Sequence, residues 1–452
     1  MQSRRQLITG AALGSLAVRA GAADSKRPNI LYLHSHDTGR YIEPYGHTIP
    51  TPNLKKLASE GVLFRKAYDA APTCSPSRAA LLTGQCPHSN GMLGLAHRGF
   101  VMTDYKRHIL HTLRPQGYRS TLIGIQHIAK DPAVIGYDEI IPTSTMKVAQ
   151  VAPAAARFLK DAAKQPFFLD VGFFETHREF HKAGPAEDER YTMPGSPIPD
   201  TAETRRDMTE FKASARVLDD GIGQVLDALP DNTLVISTTD HGIPFPSMKC
   251  NLTAHGTGVY LILRGPGGWS GGKVSNAIVS HMDLFPTICD LLEIDHPPWL
   301  EGKSLMPLAR GDSTEIHDEL FAEVNYHAAY EPKRSVRTQR WNYIKRFGDR
   351  THPVLPNCDD GLSKTLWLRN GWMSQLVPQE RLYDTIFDPN ETRNLAEDPT
   401  CAAALKDMRS RLDAWMKRTS DPLLRGPVSA PPGAVVNDPN GISPKEPVHP
   451  VY

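Results

Sequence analysis

The chain has 452 residues, 40% hydrophobic and 22% charged, and is long enough to bury its cores without disulfides or a structural metal. It carries 51 Lys and Arg against 50 Asp and Glu, a formal charge of +1, so no basic excess marks it for nucleic acid or an anionic membrane. The composition also excludes a collagen, a coiled coil and a wholly disordered chain.

Residues 1–22 read as an export signal, with Arg4 and Arg5 before a short apolar stretch and Ala20-Gly21-Ala22 as small residues for cleavage. The arginine pair resembles a twin-arginine signal and predicts a periplasmic or secreted protein. The stretch is too short for a membrane span, and no other segment reads as one.

Residues 29–33 form an apolar run that ends at His34, His36 and Asp37. Residues 53–60 predict a helix, and the run 121–124 leads to His127. A helix over 151–164 precedes the run 167–173, which leads to His177. Over 205–229, Met208, Phe211, Ala215, Leu218, Ile222 and Leu229 recur at helical spacing. The run 233–237 then meets Asp240 and His241.

Short apolar runs alternating with helices predict an α/β fold, a mostly parallel sheet flanked by helices. Such sheets bind ligands at the carboxyl ends of their strands, where these His and Asp residues accumulate. The expected catalytic unit is 23–312. A smaller α+β unit over 313–420 has strands near 320–324 and 340–344 and a closing helix over 402–416. Residues 421–452 are proline-rich and read as an extended tail on the surface or as disorder. Six cysteines (Cys74, Cys86, Cys250, Cys289, Cys358 and Cys401) form no CxxC pair, which argues against a zinc cluster. Their spacing leaves disulfide pairing in an exported chain open.

In Cys74-Ser75-Pro76-Ser77-Arg78, Pro76 suits the start of a helix that runs towards Gly84. Cys74 then lies at a helix N-terminus with Arg78 one turn further on, an arrangement that fits either a low-pKa thiol or a buried cysteine at a turn. With Leu82-Thr83-Gly84, the segment resembles the signature of type I sulfatases of the alkaline-phosphatase-like superfamily. Accompanying blocks follow in family order: Arg27-Pro28-Asn29-Ile30, Thr51-Pro52-Asn53-Leu54, Asp240-His241-Gly242 with Lys249, and Leu382-Tyr383-Asp384. His88-Ser89-Asn90-Gly91-Met92 and Gly242-Ile243-Pro244-Phe245-Pro246 resemble the heparan N-sulfatase branch.

The resemblance implies a sulfatase acting on a sulfated sugar, either an N-sulfoglucosamine sulfamate or an O-sulfate ester. It implies that Cys74 is converted to formylglycine by a formylglycine-generating enzyme. It places His36, Asp37, Cys74, Asp240 and His241 at one divalent metal, calcium by family habit. His36 and His241 stand where the family has Asp or Asn; imidazole suits other divalent metals better, and the alternative role of each is to orient an aspartate. Arg78, His127, His177 and Lys249 take catalytic positions. Ile125 replaces a family lysine, with Lys130 and Arg178 as candidate substitutes, and His181 is the rival of His177. His327, Tyr330 and Arg334 fall in a segment that relatives use to hold the sugar. Two other readings share the scaffold: a phosphonate or phosphate ester hydrolase, and an inactive sulfated-glycan binding protein.

Overall fold

The computed structural model describes residues 27–161 and 166–451; the expected export signal and the end of the helix expected over 151–164 lie outside these. Nine strands form the main sheet: β1 (Asn29–Ser35), β2 (Val62–Tyr68), β3 (Arg119–Gly124), β4 (Glu139–Ile141), β5 (Phe167–Gly172), β6 (Thr233–Thr239), β7 (Gly258–Val259), β8 (Leu261–Arg264) and β9 (Lys273–Ser280). The spatial order is β4-β3-β5-β1-β6-β8-β2-β7, with β9 on β2. The block β4-β3-β5-β1-β6 is parallel. β8 runs antiparallel to both β6 and β2, β7 is antiparallel to β2, and β9 is parallel to it.

The apolar runs are continuous because both faces of the sheet are covered. Ile30, Tyr32, Phe168, Leu234 and Ile236 enter one core with Leu82, Ile109, Leu113 and Phe285. Their neighbours Leu31, Leu33, Leu169, Val171 and Val235 enter the other, with Leu54, Leu57, Val151, Leu218 and Ile222. The period-two alternation of a strand thus builds two cores from one apolar run. Helices Pro52–Glu60, Val148–Asp161 and Ala202–Leu226 cover the second face. Gly221 and Gly223 let them approach closely: a Cβ at these positions would meet Val148 at 2.5 Å and Asn53 at 2.6 Å.

A second, antiparallel sheet contains β10 (Leu320–Tyr326), β11 (Tyr330–Arg337), β12 (Trp341–Arg346) and β13 (Glu380–Asp384) in that order. Helix Ala402–Arg418 packs Leu405, Met408, Leu412 and Trp415 onto Val336, Tyr343 and Leu382. The tail is ordered rather than loose. It carries a hairpin of β14 (Val435–Asn437) and β15 (Val448–Pro450) and returns to one connecting loop of each sheet. There Asn437 N donates to Ala328 O at 2.8 Å and Arg98 donates to Asn437 Oδ1 at 2.8 Å. All six cysteines are unpaired, and no helix among the described residues is long and apolar enough to cross a membrane.

Candidate active site

Five strand ends meet at one edge of the main sheet. β1 delivers His36 and Asp37, and β6 delivers Asp240 and His241. β5 leads to His177, β3 to His127, and β2 to the loop that enters helix Cys74–Thr83. Cys74 is the first residue of that helix, which is buried throughout.

The polar residues that follow Cys74 lock the helix onto the strand ends. Ser77 Oγ donates to Asp240 O at 2.6 Å, and Ser75 Oγ accepts from Ala96 N at 3.0 Å. Arg78 donates to Asp240 Oδ2 at 2.9 Å, to Ser35 O at 3.1 Å and to His34 Nδ1 at 2.5 Å. A guanidinium only donates, so His34 Nδ1 accepts and His34 Nε2 carries the proton. That nitrogen donates to Asp170 Oδ1 at 2.8 Å, and Tyr137 donates to Asp170 Oδ2 at 2.5 Å. Burial, reinforced by Arg78, lowers the pKa of His34, in keeping with a neutral ring. A buried chain from Tyr137 to Asp240 therefore fixes the guanidinium beside Cys74.

The strand ends also bring the expected metal residues together. One ligand atom from each of His36, Asp37, Cys74, Asp240 and His241 lies within 4.8 Å of all the others. His36 Nδ1 is 2.8 Å from Asp37 Oδ1 and 3.1 Å from Asp240 Oδ2. His241 Nε2 is 3.2 Å from Asp37 Oδ1 and 3.4 Å from Cys74 Sγ. Burial opposes ionisation of Asp37, but Lys249, His36 and His241 outweigh it and hold the carboxyl well below the usual range. Burial likewise opposes Asp240, and His241, His36 and Arg78 hold it down. Burial pushes the His36 imidazole down to about 4 against the pull of both carboxylates.

Cys74 is not a low-pKa thiol. Burial pushes its pKa well up, and Asp37 and Asp240 add to this against Lys249 and Arg78. Position at a helix start does not outweigh desolvation beside two carboxylates.

Lys249 Nζ donates to Asp37 Oδ2 at 2.9 Å and pairs with Asp359 Oδ2 at 3.0 Å. His177 Nδ1 donates to Arg178 O at 2.5 Å, which leaves Nε2 facing the cluster, 4.0 Å from Asp37 Oδ2. His127 shares a 2.9 Å hydrogen bond with His97 Nδ1, and its own Nδ1 is buried without a partner. Burial, then His36 and His97, keep His127 well below the ordinary imidazole range.

Several expected residues fall elsewhere. Ile125 is buried, Lys130 is exposed, and Arg178 is forked onto Asp207 with both contacts at 2.7 Å. Neither Lys130 nor Arg178 therefore replaces the family lysine; His97 fills the space beside His127. His181 pairs with Glu175 at 3.2 Å, away from Asp37. His327 lies in the field of Lys249 and Asp359, and its Nδ1 is buried without a partner.

Tyr330 and Arg334 are corrections to the sequence reading, because their segment is the interior strand β11 and not a sugar-holding loop. The Tyr330 hydroxyl accepts from Val428 N at 2.9 Å under the tail. Arg334 is fully buried, with Nε 2.5 Å from Asp421 Oδ2 and 3.2 Å from Glu323 Oε2. Arg334→Met is accordingly expected to lose about 3–5 kcal/mol of stability in urea denaturation, the cost of breaking a buried ion pair, with KM unchanged in the folded fraction. A raised KM at unchanged stability would return Arg334 to the substrate.

Asp359 and His97 were not foreseen from sequence. Asp359 sits in an irregular segment and His97 in the short helical turn Ala96–Arg98, and no apolar run or spacing marks either.

The comparisons with known proteins agree with one another. A family profile described as Sulfatase matches residues 28–294, and one described as N-sulphoglucosamine sulphohydrolase, C-terminal, matches residues 252–355. Human N-sulphoglucosamine sulphohydrolase is 31% identical, covering 91% of this chain and 94% of its own. The solved structure of a 2-O GAG sulfatase superposes with a TM-score of 0.71 at 21% identity, over 92% of this chain and 99% of that one. A structure in complex with D-glucosamine-2-N,6-O-disulfate, its substrate, gives 0.67 at 18% identity, over 88% and 99%.

Proposed function

Because the chain belongs to the sulfatase family, whose members hydrolyse sulfate esters or sulfamates, we propose that it removes sulfate from a sulfated glucosamine unit, the N-sulfate foremost, with position 74 in its formylglycine form. One observation carries this reading: Cys74, Arg78, Lys249 and the His36, Asp37, Asp240 and His241 cluster converge in one buried site at the strand ends. The human relative acts, by its name, on N-sulfoglucosamine, and it spans nearly the whole of both chains.

Formylglycine supplies a hydrated aldehyde whose two hydroxyls give a nucleophile and a means of expelling sulfate. His36, Asp37, Asp240 and His241 would hold a divalent cation, which adds Lewis acidity towards the sulfate oxygens. Converging carboxylates and imidazoles, with cationic Arg78 and Lys249 alongside, suit a dication and an anionic substrate together. Arg78, held by Asp240 and Ser35, sets its positive charge beside the nucleophile's side chain. Lys249 neutralises a sulfate oxygen from the Asp359 side. His177 keeps Nδ1 on a carbonyl and delivers a proton from Nε2 to the departing nitrogen or oxygen. His127, kept neutral by burial and by its neighbours, accepts a proton in the second half of the reaction. The export signal over 1–22 supports delivery of an already modified chain to the periplasm or medium, where sulfated polysaccharide is degraded.

The acid role of His177 has a direct consequence. His177→Ala is expected to lose about 10²–10⁴-fold in kcat on a sugar sulfate. It should lose far less on p-nitrophenyl sulfate, whose phenolate leaves without a proton. Equal losses on both substrates would remove the acid role.

The substrate is tested by sulfate release, read by ion chromatography, from glucosamine N-sulfate and from its O-sulfated isomers. The enzyme is produced with a formylglycine-generating enzyme. Release from the N-sulfate is expected. Release from O-sulfates alone would discard the N-sulfatase branch. Turnover of a phosphonate ester in place of any sulfate would move the chain to the phosphonate hydrolases.

A further inference from the structure

We propose that the cation site of His36, Asp37, Asp240 and His241 selects a first-row transition dication, in the range Mn²⁺ to Zn²⁺, over Ca²⁺. The inference rests on the reading of this cluster as the enzyme's metal site. It concerns which ion these particular residues accept.

The first argument is the supply of oxygens. Ca²⁺ takes about six to eight oxygen ligands and relies on bidentate carboxylates to reach that number. Here each carboxylate already has one oxygen committed. Asp37 Oδ2 accepts from Lys249 Nζ at 2.9 Å. Asp240 Oδ1 accepts from Asp37 N at 2.8 Å and from His241 N at 2.9 Å. Only Asp37 Oδ1 and Asp240 Oδ2 remain to face the cluster, and the latter also accepts from Arg78. With Asp37 Oδ2 and Asp240 Oδ1 turned to other donors, the protein presents one oxygen of each carboxylate to the cluster, where Ca²⁺ needs several more.

The second argument is the direction of the imidazole nitrogens. His241 Nδ1 donates to Gly242 O at 3.0 Å, which turns Nε2 towards the cluster. There Nε2 faces Asp37 Oδ1 at 3.2 Å and Asp240 Oδ2 at 3.7 Å. A ring nitrogen that donates to a backbone carbonyl while its partner nitrogen turns inward is the usual arrangement of a metal-bound histidine. His36 Nδ1 faces the same two carboxylates at 2.8 and 3.1 Å.

Two imidazole nitrogens and one oxygen from each carboxylate thus come together, with the four nitrogen–oxygen edges of the set at 2.8–3.7 Å and every donor within 4.8 Å of the others. A tetrahedron of donors about 2.0–2.1 Å from its centre has edges of about 3.3 Å, the dimensions of zinc-type sites. Imidazole donors raise affinity along the series from Mn²⁺ towards Zn²⁺ and add nothing for Ca²⁺.

The test uses the matured full-length enzyme, stripped with chelator and titrated separately with Zn²⁺, Mn²⁺ and Ca²⁺. Thermal melting and elemental analysis after desalting are the readouts. Zn²⁺ and Mn²⁺ at micromolar concentration are expected to raise Tm and to be retained near one per chain, while millimolar Ca²⁺ does neither. The titration is repeated on Cys74→Ala, because an unmodified thiol would itself recruit Zn²⁺; the preference should persist. Loss of the preference in that variant would assign it to the thiol and overturn the proposal. The double variant His36→Asp with His241→Asn, which restores an all-oxygen set, should weaken Zn²⁺ binding at least tenfold and gain a response to Ca²⁺. A wild-type response to Ca²⁺ alone would overturn the proposal while leaving the sulfatase reading intact. A response to no divalent ion would overturn it and remove the metal from that reading as well. Sulfate release from the sugar panel tests the sulfatase reading separately.

Discussion

Cys74→Ser is expected to stop turnover, lowering kcat by about 10⁵-fold or more, and to leave sulfate esterified to the introduced serine. The expectation follows from what Arg78, Lys249 and the strand-end cluster do. They assemble around the first side-chain atoms of position 74 whatever those atoms are, so a serine hydroxyl still meets the sulfur with its field intact. It lacks a second hydroxyl whose proton can leave to expel sulfate, and the buried site admits little water to cleave the ester. Intact-mass measurement after incubation with substrate should show one added sulfate per chain and no second turnover. The unoxidised wild-type thiol gives no relief, because it too lacks a second hydroxyl. Steady turnover by Cys74→Ser would contradict the two-hydroxyl account.

Arg78→Lys has the next largest expected effect. The guanidinium satisfies three acceptors on two strands at once: His34 Nδ1, Ser35 O and Asp240 Oδ2. An ammonium keeps the charge but cannot span that fork. His34 would lose the donor that fixes its tautomer, and Asp240 would lose the cation that helps to keep it ionised. The expected result is a fall in kcat of about 10²–10³-fold. A loss of about 3 kcal/mol in stability should accompany it, from the damaged buried pair. A variant within a few-fold of wild type in kcat would show that charge alone suffices and that the Tyr137–Asp170–His34 chain does not position the site.

The residues that made the sheet legible in the sequence are those whose environment repeats. β1, β5 and β6 are buried on both faces, so each reads as a mainly apolar run, broken within β5 by Asp170, and the polar residues that follow mark the carboxyl edge. The helix Ala202–Leu226 is legible because one stripe packs on the sheet; the helix starts at a Thr201 cap that the periodicity alone does not show. β11 was illegible for the opposite reason. It is an interior strand filled with Lys333, Arg334 and Arg337, and their counter-charges Glu331, Asp421 and Glu391 come mostly from distant segments. Buried charge paired across the fold looks in sequence like a solvated loop. Asp359, in an irregular segment, and His97, in a single helical turn, reach the site only through the folding of the connections, so no periodicity announces them. The two histidines of the strand-end cluster were legible as residues, but the hydrogen bonds that engage one oxygen of each aspartate needed the structure.

The central claim is that position 74, once oxidised, carries the reaction. Mass spectrometry of the tryptic peptide 67–78 gives the fraction of chains with an aldehyde at position 74. Preparations made with graded amounts of formylglycine-generating enzyme should release sulfate from glucosamine N-sulfate at rates proportional to that fraction, extrapolating to zero at zero modification. A rate independent of the fraction, or one that survives in Cys74→Ala, would contradict the account.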